Sequence, residues 1–298
     1  KKRMKQNRRL TMKAIYKKEV KSYLTSMIGY VFIFFILLLE GIYFTAYNLQ
    51  NAYPLFGNTL SAITVMFLIL VPILTMKTIA EERKQKTDQL LLTAPVSVGE
   101  IVTGKFLAVS TVYVIPLLII CLYPLIMGKY GTVSYAMAYT AVLGFALLGF
   151  AQIAVGIFWS SVTENPVIAA VVTFIVLFIC YMITGIGSLI PDSSMASLAC
   201  YMILVLLAAV WIYHMIQNLW IAAVIGIAGE AALAITYMVK STLFEGSIQT
   251  FLDVFNITSH FDNFTNGILD LQGVVYFLSV IIIFLVLTVQ TLTKRRWN

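Results

Sequence analysis

The chain has 298 residues, of which 60% are hydrophobic and only 11% are charged, and its mean hydropathy is +0.93. Soluble domains carry roughly 25% charged residues. The composition therefore excludes an ordinary soluble enzyme or binding domain and predicts an all-α integral membrane protein. The formal net charge of +7 comes from 20 Lys and Arg residues, whose positions along the chain predict its orientation.

The first predicted region, residues 1–27, is a basic N-terminus that contains an amphipathic helix. Lys13, Lys17 and Lys21 recur at a spacing of four residues. A second face carries apolar and aromatic residues, namely Tyr16, Val20, Tyr23, Leu24 and Met27. This pattern predicts a helix in the cytoplasmic headgroup layer, with its cations against anionic lipid. The alternative is an ordinary basic flank that fixes topology.

Residues 28–298 read as a single transmembrane domain. Eight apolar segments in it approach the roughly 20 residues that span a bilayer as a helix. They are residues 28–47, 59–79, 106–127, 135–159, 166–190, 195–216, 219–239 and 274–293. The first is longer than a signal-peptide core of about 7–15 residues, which favours an uncleaved span. A further segment, residues 241–273, is predicted to be external and amphipathic.

The distribution of Lys and Arg predicts that both termini are cytoplasmic. Eighteen of the 20 lie in residues 1–22, in the loop 77–105 or in the tail, and only Lys129 and Lys240 fall on the other side. Basic residues concentrate in cytoplasmic loops, and eight spans satisfy the even number that this orientation requires. Residues 195–239 are predicted as two full spans, with a re-entrant pair as the alternative.

The loop 77–105 is the most charged internal stretch and is predicted to be a helix, a sharp turn and a second helix. The first helix is expected from Thr78 to Leu92, with Glu82 and Lys86 paired one turn apart. Pro95 would stop it, and Ser97 with Glu100 would form a capping box for the helix that enters the third span.

This loop resembles the first cytoplasmic loop of ABC-2-type transporter permeases. The residues that carry the resemblance are Glu81, Glu82, Thr87, Leu90, Leu91, Pro95, Val96, Ser97, Gly104 and Lys105. The resemblance implies a coupling helix that sits in a groove of a separate ABC ATPase subunit. It implies ATPase-coupling roles for Glu81, Glu82, Thr87, Leu90, Leu91 and Pro95.

Two further stretches are similar to the same family. Thr163, Glu164 and Asn165 resemble its short second loop, which implies an ATPase-facing role for Glu164 and Asn165; the simpler alternative is the capping of a span by Asn165 and Pro166. Residues 260–279 resemble the last external segment of gliding-motility-type (GldF-like) permeases. The likeness rests on Phe261, Phe264, Gly267, Asp270, Val275 and Tyr276, and implies an external gate. The family typically has six spans, so two spans between its fifth and last are extra here.

No phosphate-binding loop of the form G-x-x-x-x-G-K-[ST] occurs in the sequence. We therefore expect no enzymatic activity and no cofactor in this chain, and ATP and Mg²⁺ in the partner ATPase. No metal-ligand spacing or nucleic-acid partner is predicted. Two carboxylates lie inside spans, Glu40 and Glu230, and intramembrane carboxylates are default functional candidates. They are candidates for a translocation path, with a packing role as the alternative.

The sequence thus predicts the permease subunit of an ATP-driven exporter in a bacterial plasma (inner) membrane. Its expected partners are an ABC ATPase, a second permease copy and membrane lipids. Three alternatives stay open: an ion-driven secondary transporter, which should show internal repeats, an intramembrane enzyme acting on lipid, and a non-transporting membrane anchor for an ATPase. The substrate is not identified by any motif.

Overall fold

The computed structural model describes residues 2–88 and 96–297, which contain helices and turns and no strand. The chain forms two compact units. The larger comprises the residues up to Phe178 together with those from Ile257 onward, and the smaller comprises Ile179–Asn256. The prediction of an all-α membrane protein is confirmed.

The larger unit contains most of the helices. They are α1 (Lys2–Thr25), α2 (Met27–Tyr43), α3 (Phe56–Thr64), α4 (Phe67–Thr75), α5 (Ala80–Lys84), α6 (Val98–Ile120), α7 (Tyr123–Tyr130), α8 (Tyr135–Val162), α13 (Asp262–Thr265) and α14 (Leu271–Trp297). Helix α9 (Pro166–Gly187) contributes to both units. The smaller unit contains α10 (Ser194–Ile216), α11 (Leu219–Val239) and α12 (Ser247–Asp253).

The first span buries one stripe of side chains and exposes the rest. Its buried positions recur every four residues, at Phe32, Ile36, Glu40, Phe44 and Asn48. This spacing is one face of a helix, and the last two positions belong to a π-helical continuation, Phe44–Gln50. The other faces are apolar and exposed, as expected for a helix that contacts lipid.

The second predicted span, 59–79, is broken. Helices α3 and α4 meet at an angle of 61°. Pro72 lies within α4 and cannot donate a backbone hydrogen bond. The break itself lies before Pro72, between Thr64 and Phe67.

Helix α8 forms the centre of the larger unit because its small residues admit close neighbours. The ring of Tyr113 lies against Gly149, where an added Cβ would be 2.3 Å from the ring. The Tyr113 hydroxyl donates to the carbonyl oxygen of Phe145 at 2.7 Å, and the rings of Phe67 and Phe145 are 4.8 Å apart. Small residues at helix interfaces provide this close packing in membrane proteins.

The smaller unit is built around a helical hairpin. Helices α10 and α11 are joined at Gln217, which has a positive φ of 55°. After α11 the chain bends by 117° towards α12. In the same unit, Thr184 donates to Asp253 at 3.0 Å and accepts from Asn256 at 2.6 Å. Residues 195–239 thus form two helices, which both the two full spans and the re-entrant pair require.

The described part of the structure is compatible with six to eight spans, and the prediction of eight lies within that range. Six helices of the described residues are long and apolar enough to cross a membrane, and up to eight if each of the two bent pairs is one span. The eight-span prediction corresponds to the upper value. The third predicted span is longer than expected, since α6 and α7 together cover Val98–Tyr130.

Candidate functional site

The loop 77–105, which is predicted to be cytoplasmic, holds α5, a helix of only five residues that depends on its neighbours. Its first backbone N–H groups have no partner within the helix. The N–H groups of Ile79 and Ala80 instead donate to the hydroxyl of Ser160 at 3.1 Å each. Ser160 is fully buried near the end of α8 and itself donates to the carbonyl oxygen of Met76 at 3.0 Å. One serine therefore fixes the start of α5 against the end of α8.

Arg83 fixes the same helix to the end of α8. Its guanidinium donates to the carbonyl oxygen of Ser161, to that of Thr163 at 3.2 Å, and to Glu164 Oε1 at 3.3 Å. These carbonyls lie at the C-terminal end of a helix, where cations are favoured. Burial, together with the nearby Arg295, lowers the pKa of Arg83 from its usual value. The two loops predicted to face an ATPase are thus joined directly.

Glu82 points to the opposite side, into a buried ionic cluster. Lys105 Nζ lies 2.9 Å from Glu82 Oε2 and 3.0 Å from Glu19 Oε1. It also donates to the carbonyl oxygen of Thr78 at 2.7 Å. The fourth member is Lys18, whose side chain is exposed and whose Nζ lies 3.3 Å from Glu82 Oε1. We call Lys18, Glu19, Glu82 and Lys105 the ionic cluster.

Tyr23 extends this contact along α1. Its hydroxyl bonds the hydroxyl of Thr78 at 2.9 Å and donates to the carbonyl oxygen of Leu74 at 3.2 Å. Burial raises the pKa of Tyr23 well above its usual range, so it remains a neutral hydrogen-bonding group. Tyr16 likewise bonds Thr111 at 3.0 Å. The aromatic face of α1 therefore packs on protein, while Lys13, Lys17 and Lys21 are exposed.

The C-terminal helix joins the same region. Arg295 lies 3.4 Å from the buried carboxylate of Asp88 and 3.2 Å from Glu164. The neighbouring Arg296 donates to the carbonyl oxygen of Val96 at 3.4 Å. Elements from both ends of the sequence thus meet around α5.

Among the described residues of the loop, 84–87 form a continuous exposed stretch, which we call the tip, and Lys86 has a positive φ of 57°. The predicted continuous helix from Thr78 to Leu92 is therefore wrong: α5 ends at Lys84 because the backbone turns at Lys86. The predicted pair of Glu82 with Lys86 is also wrong, since Glu82 joins the ionic cluster.

The remaining coupling residues are partly visible. Glu81 accepts from Gln85 at 2.7 Å, and the hydroxyl of exposed Thr87 donates to the carbonyl oxygen of Glu82 at 3.3 Å. Leu90, Leu91 and Pro95 lie outside the described residues.

Both predicted caps in this region are confirmed. The Ser97 hydroxyl accepts from the Glu100 N–H at 3.3 Å, and the Ser97 N–H donates to Glu100 Oε2 at 3.2 Å. Asn165 Oδ1 accepts from the Val167 N–H at 2.9 Å, with Pro166 as the first residue of α9. Asn165 therefore has the helix-capping role that the sequence left open beside a contact with an ATPase.

The two intramembrane carboxylates have different surroundings. Glu40 is fully buried on the packed stripe of α2. Glu230 borders an almost wholly apolar groove of about 610 Å³ between α10 and α11. Within the described part of the chain, neither carboxylate has a hydrogen-bond partner. Glu40 belongs to the larger unit and Glu230 to the smaller one.

The part of the predicted external segment that follows Ile257 packs into the larger unit. Phe261 and Phe264 are fully buried, and an added Cβ at Gly144 of α8 would lie 2.5 Å from Phe264. Gly267 has a positive φ of 78°, a conformation that glycine adopts without strain. Tyr276 stacks on His260 with ring centroids 3.6 Å apart.

Asp270 ends this segment. It accepts from the Asn263 side chain at 2.9 Å, and that hydrogen bond lowers the pKa of Asp270 below its usual value. Asp270 Oδ1 also accepts from the Gln272 N–H at the start of α14. In residues 2–88 and 96–297, no group of three or more His, Cys, Asp and Glu side chains could hold a metal ion.

The comparison with known families agrees with this architecture. The family model described as "ABC-2 family transporter protein" matches residues 13–297. The chain belongs to the ABC-2 transporter family. It is therefore a multi-pass transmembrane permease of an ABC transporter. No curated protein matches the sequence.

Sequence reasoning missed several residues of this ABC-2 permease site. Glu19, Ser160 and Arg295 received no role, and Lys105 was named only as part of a motif. One signal was available, because Glu19 is the single acidic residue before Glu40 in a region with ten Lys and Arg. A lone carboxylate in a basic helix indicates a specific partner. The partner itself, 86 positions away in the sequence, could not be read from that pattern.

Proposed function

We propose that this ABC-2 permease is driven by a separate ABC ATPase that docks on the exposed tip 84–87 and the adjoining residues of the loop. The observation that carries the proposal is the double attachment of α5. Glu82 joins it to α1 and α6, and Arg83 joins it to the end of α8. A force applied at the tip would reach three long helices through these contacts.

ATP and Mg²⁺ would be held by the ATPase, and this chain would supply no catalytic group. Docking must discriminate two conformations of the permease, because a partner that bound both equally would move neither. Glu164, which is exposed beside Arg83 and Arg295, offers a second contact from the second loop. Leu90, Leu91 and Pro95 are proposed contacts on the sequence resemblance alone.

We further propose that the permease exports its substrate from a bacterial inner membrane and pairs with a second permease copy. The GldF-like resemblance of residues 260–279 supports export, and the buried aromatic packing of Phe261 and Phe264 suits an external gate. The exposed row of Lys13, Lys17 and Lys21 on α1 would contact anionic lipid headgroups. Glu230, at the apolar groove, is the better placed of the two carboxylates to meet a substrate.

Co-purification tests the docking. The permease is expressed with a candidate ABC ATPase from the same genome, and Lys86→Glu is compared with Lys129→Glu, the same charge reversal at an exposed residue on the predicted external side. We expect Lys86→Glu to reduce the amount of ATPase recovered at least tenfold and Lys129→Glu to leave it unchanged. Equal recovery with both variants, or no recovery with the unaltered permease, would contradict the proposal.

Export and anchoring are separated by a second measurement. Cells that produce the permease and ATPase are compared with cells that produce Lys86→Glu, using untargeted mass spectrometry of the medium and the cell envelope. An exporter predicts a compound that accumulates outside only with the unaltered permease. Association with the ATPase and no such compound would favour the non-transporting anchor.

A further inference from the structure

The ammonium group of Lys105 is saturated with partners although it is buried. The Lys105 side chain is 2% exposed. An ammonium has three donors, and here the three acceptors are Glu19 Oε1, Glu82 Oε2 and the Thr78 carbonyl oxygen, all within 3.0 Å. A buried charge persists only when it is paired and hydrogen-bonded in this way. The geometry of Lys105 is therefore determined by all three neighbours at once.

The ionic cluster is also balanced in charge. Two carboxylates, Glu19 and Glu82, face one buried cation, Lys105, and one exposed cation, Lys18. Loss of Lys105 would leave the two carboxylates of Glu19 and Glu82 facing each other in a site with little solvent. The cluster is consequently expected to hold together as a unit rather than to loosen one contact at a time.

Each buried member comes from a different helix. Glu19 belongs to α1, Glu82 to α5 and Lys105 to α6. The helices approach closely next to the cluster, since an added Cβ at Gly104 would lie 3.3 Å from Ile15 of α1. An N-terminal helix that served only to fix topology or to lie on lipid would need neither the buried carboxylate nor this close contact.

We propose that α1 is a working part of the coupling device, and that Lys105 is the positioning residue that makes α1, α5 and the start of α6 move as one body. This inference rests on the proposed docking of an ATPase at the tip 84–87. Displacement of the tip would then drag α1 along the membrane surface together with α6. The N-terminal helix would carry the ATPase motion to the first span, which follows it after Ser26.

Distance measurements on the complete complex test the proposal. The native cysteines Cys121, Cys180 and Cys200 are replaced by serine, and spin labels are attached at two pairs of exposed positions. The first pair, Lys17→Cys and Lys77→Cys, reports α1 against the loop just before α5, outside the docking tip. The second pair, Lys77→Cys and Lys129→Cys, reports that loop against the predicted external side. Both are measured without nucleotide and with ATP bound to a hydrolysis-deficient ATPase.

We expect ATP to change the second distance and to leave the first unchanged. Lys105→Met should release α1, so that ATP shifts the first distance by about 2 Å or more, the size of helix shifts at moving interfaces. Lys18→Gln, which removes the exposed cation, should behave like the unaltered permease. A triple variant, Glu19→Gln with Glu82→Gln and Lys105→Met, removes all buried charge and covers the case in which the single variant does not fold.

The outcomes separate the two proposals. If the ATPase does not associate with the unaltered permease, the proposed function fails and this inference fails with it. If the ATPase associates but the first distance changes with ATP in the unaltered permease, only the inference is overturned. The inference is also overturned if the first distance stays constant in the triple variant, because other contacts would then hold α1 to the tip.

Discussion

Substitutions in the ionic cluster should lower the free energy of unfolding by different amounts. The loss should depend on how buried the side chain is and on which charges remain without a partner. Lys105→Met removes a cation with a 2% exposed side chain and leaves Glu19 and Glu82 facing each other, 10% and 15% exposed. Removing one partner of a buried ion pair costs about 3–5 kcal/mol. Glu19→Gln keeps Lys105 bound to Glu82 and Thr78, so it should cost about 1.5–3 kcal/mol, the contribution of one charged hydrogen bond. Lys18→Gln, at a side chain that is 65% exposed, should cost about 0–1 kcal/mol.

The order of these costs is the decisive result. Thermal unfolding of the detergent-purified permease, followed by tryptophan fluorescence, gives a midpoint for each variant. Each kcal/mol corresponds to about 2–4 °C in larger domains. We expect the largest drop for Lys105→Met and the smallest for Lys18→Gln. A drop for Lys18→Gln equal to that for Lys105→Met would refute the assignment of the stabilisation to the buried pairs.

Three further substitutions test separate contacts in the same unfolding assay. Ser160→Ala removes the acceptor of two buried N–H groups at α5 and should cost about 1–3 kcal/mol, whereas Ser161→Ala, whose hydroxyl bonds only within α8, should cost much less. Gly149→Ala would place a Cβ 2.3 Å from the Tyr113 ring and should cost about 1–3 kcal/mol of stability. Gly99→Ala, whose added Cβ meets nothing within 4 Å, should be neutral or stabilising. Equal losses at both glycines would contradict the packing argument. Glu40→Gln should leave stability unchanged or raise it, because the buried carboxylate has no hydrogen-bond partner among the described residues; a loss of stability would show that Glu40 has a structural partner.

The sequence predicted those parts of the fold that depend on local physics. Apolar segments of about 20 residues located the spans because a bilayer sets that length. The cap at Ser97 was predicted because its partner, Glu100, is three residues away. The break after Thr64 was not predicted, because the apolar run continues through it without a Gly or Pro at the break.

The sequence predicted where the candidate site lies but not which side chains hold it together. A charged loop between spans marked the location of α5, and its resemblance to a known loop gave the family. The contacts around α5 include pairs that are far apart in the sequence, such as Arg83 with Thr163, 80 positions apart, and Lys105 with Glu19, 86 positions apart. Pairing at that range depends on how helices pack, which hydropathy does not specify. The helix pattern through Lys86 was misleading because local propensity favoured a helix that the positive φ at Lys86 ends.

The shortness of α5 explains why its ionic contacts matter. Isolated helices shorter than about 12–15 residues are marginal in water, so five residues cannot hold a helix by their own hydrogen bonds. The adjacent side chains of Glu82 and Arg83 bind different neighbours. Glu82 joins the ionic cluster of α1 and α6, and Arg83 binds the end of α8 and, through Glu164, is linked to Arg295 of α14. The shape of α5 is therefore set by the helices around it. For the same reason, any partner that shifts the tip 84–87 acts on the relative position of those helices rather than on a free loop.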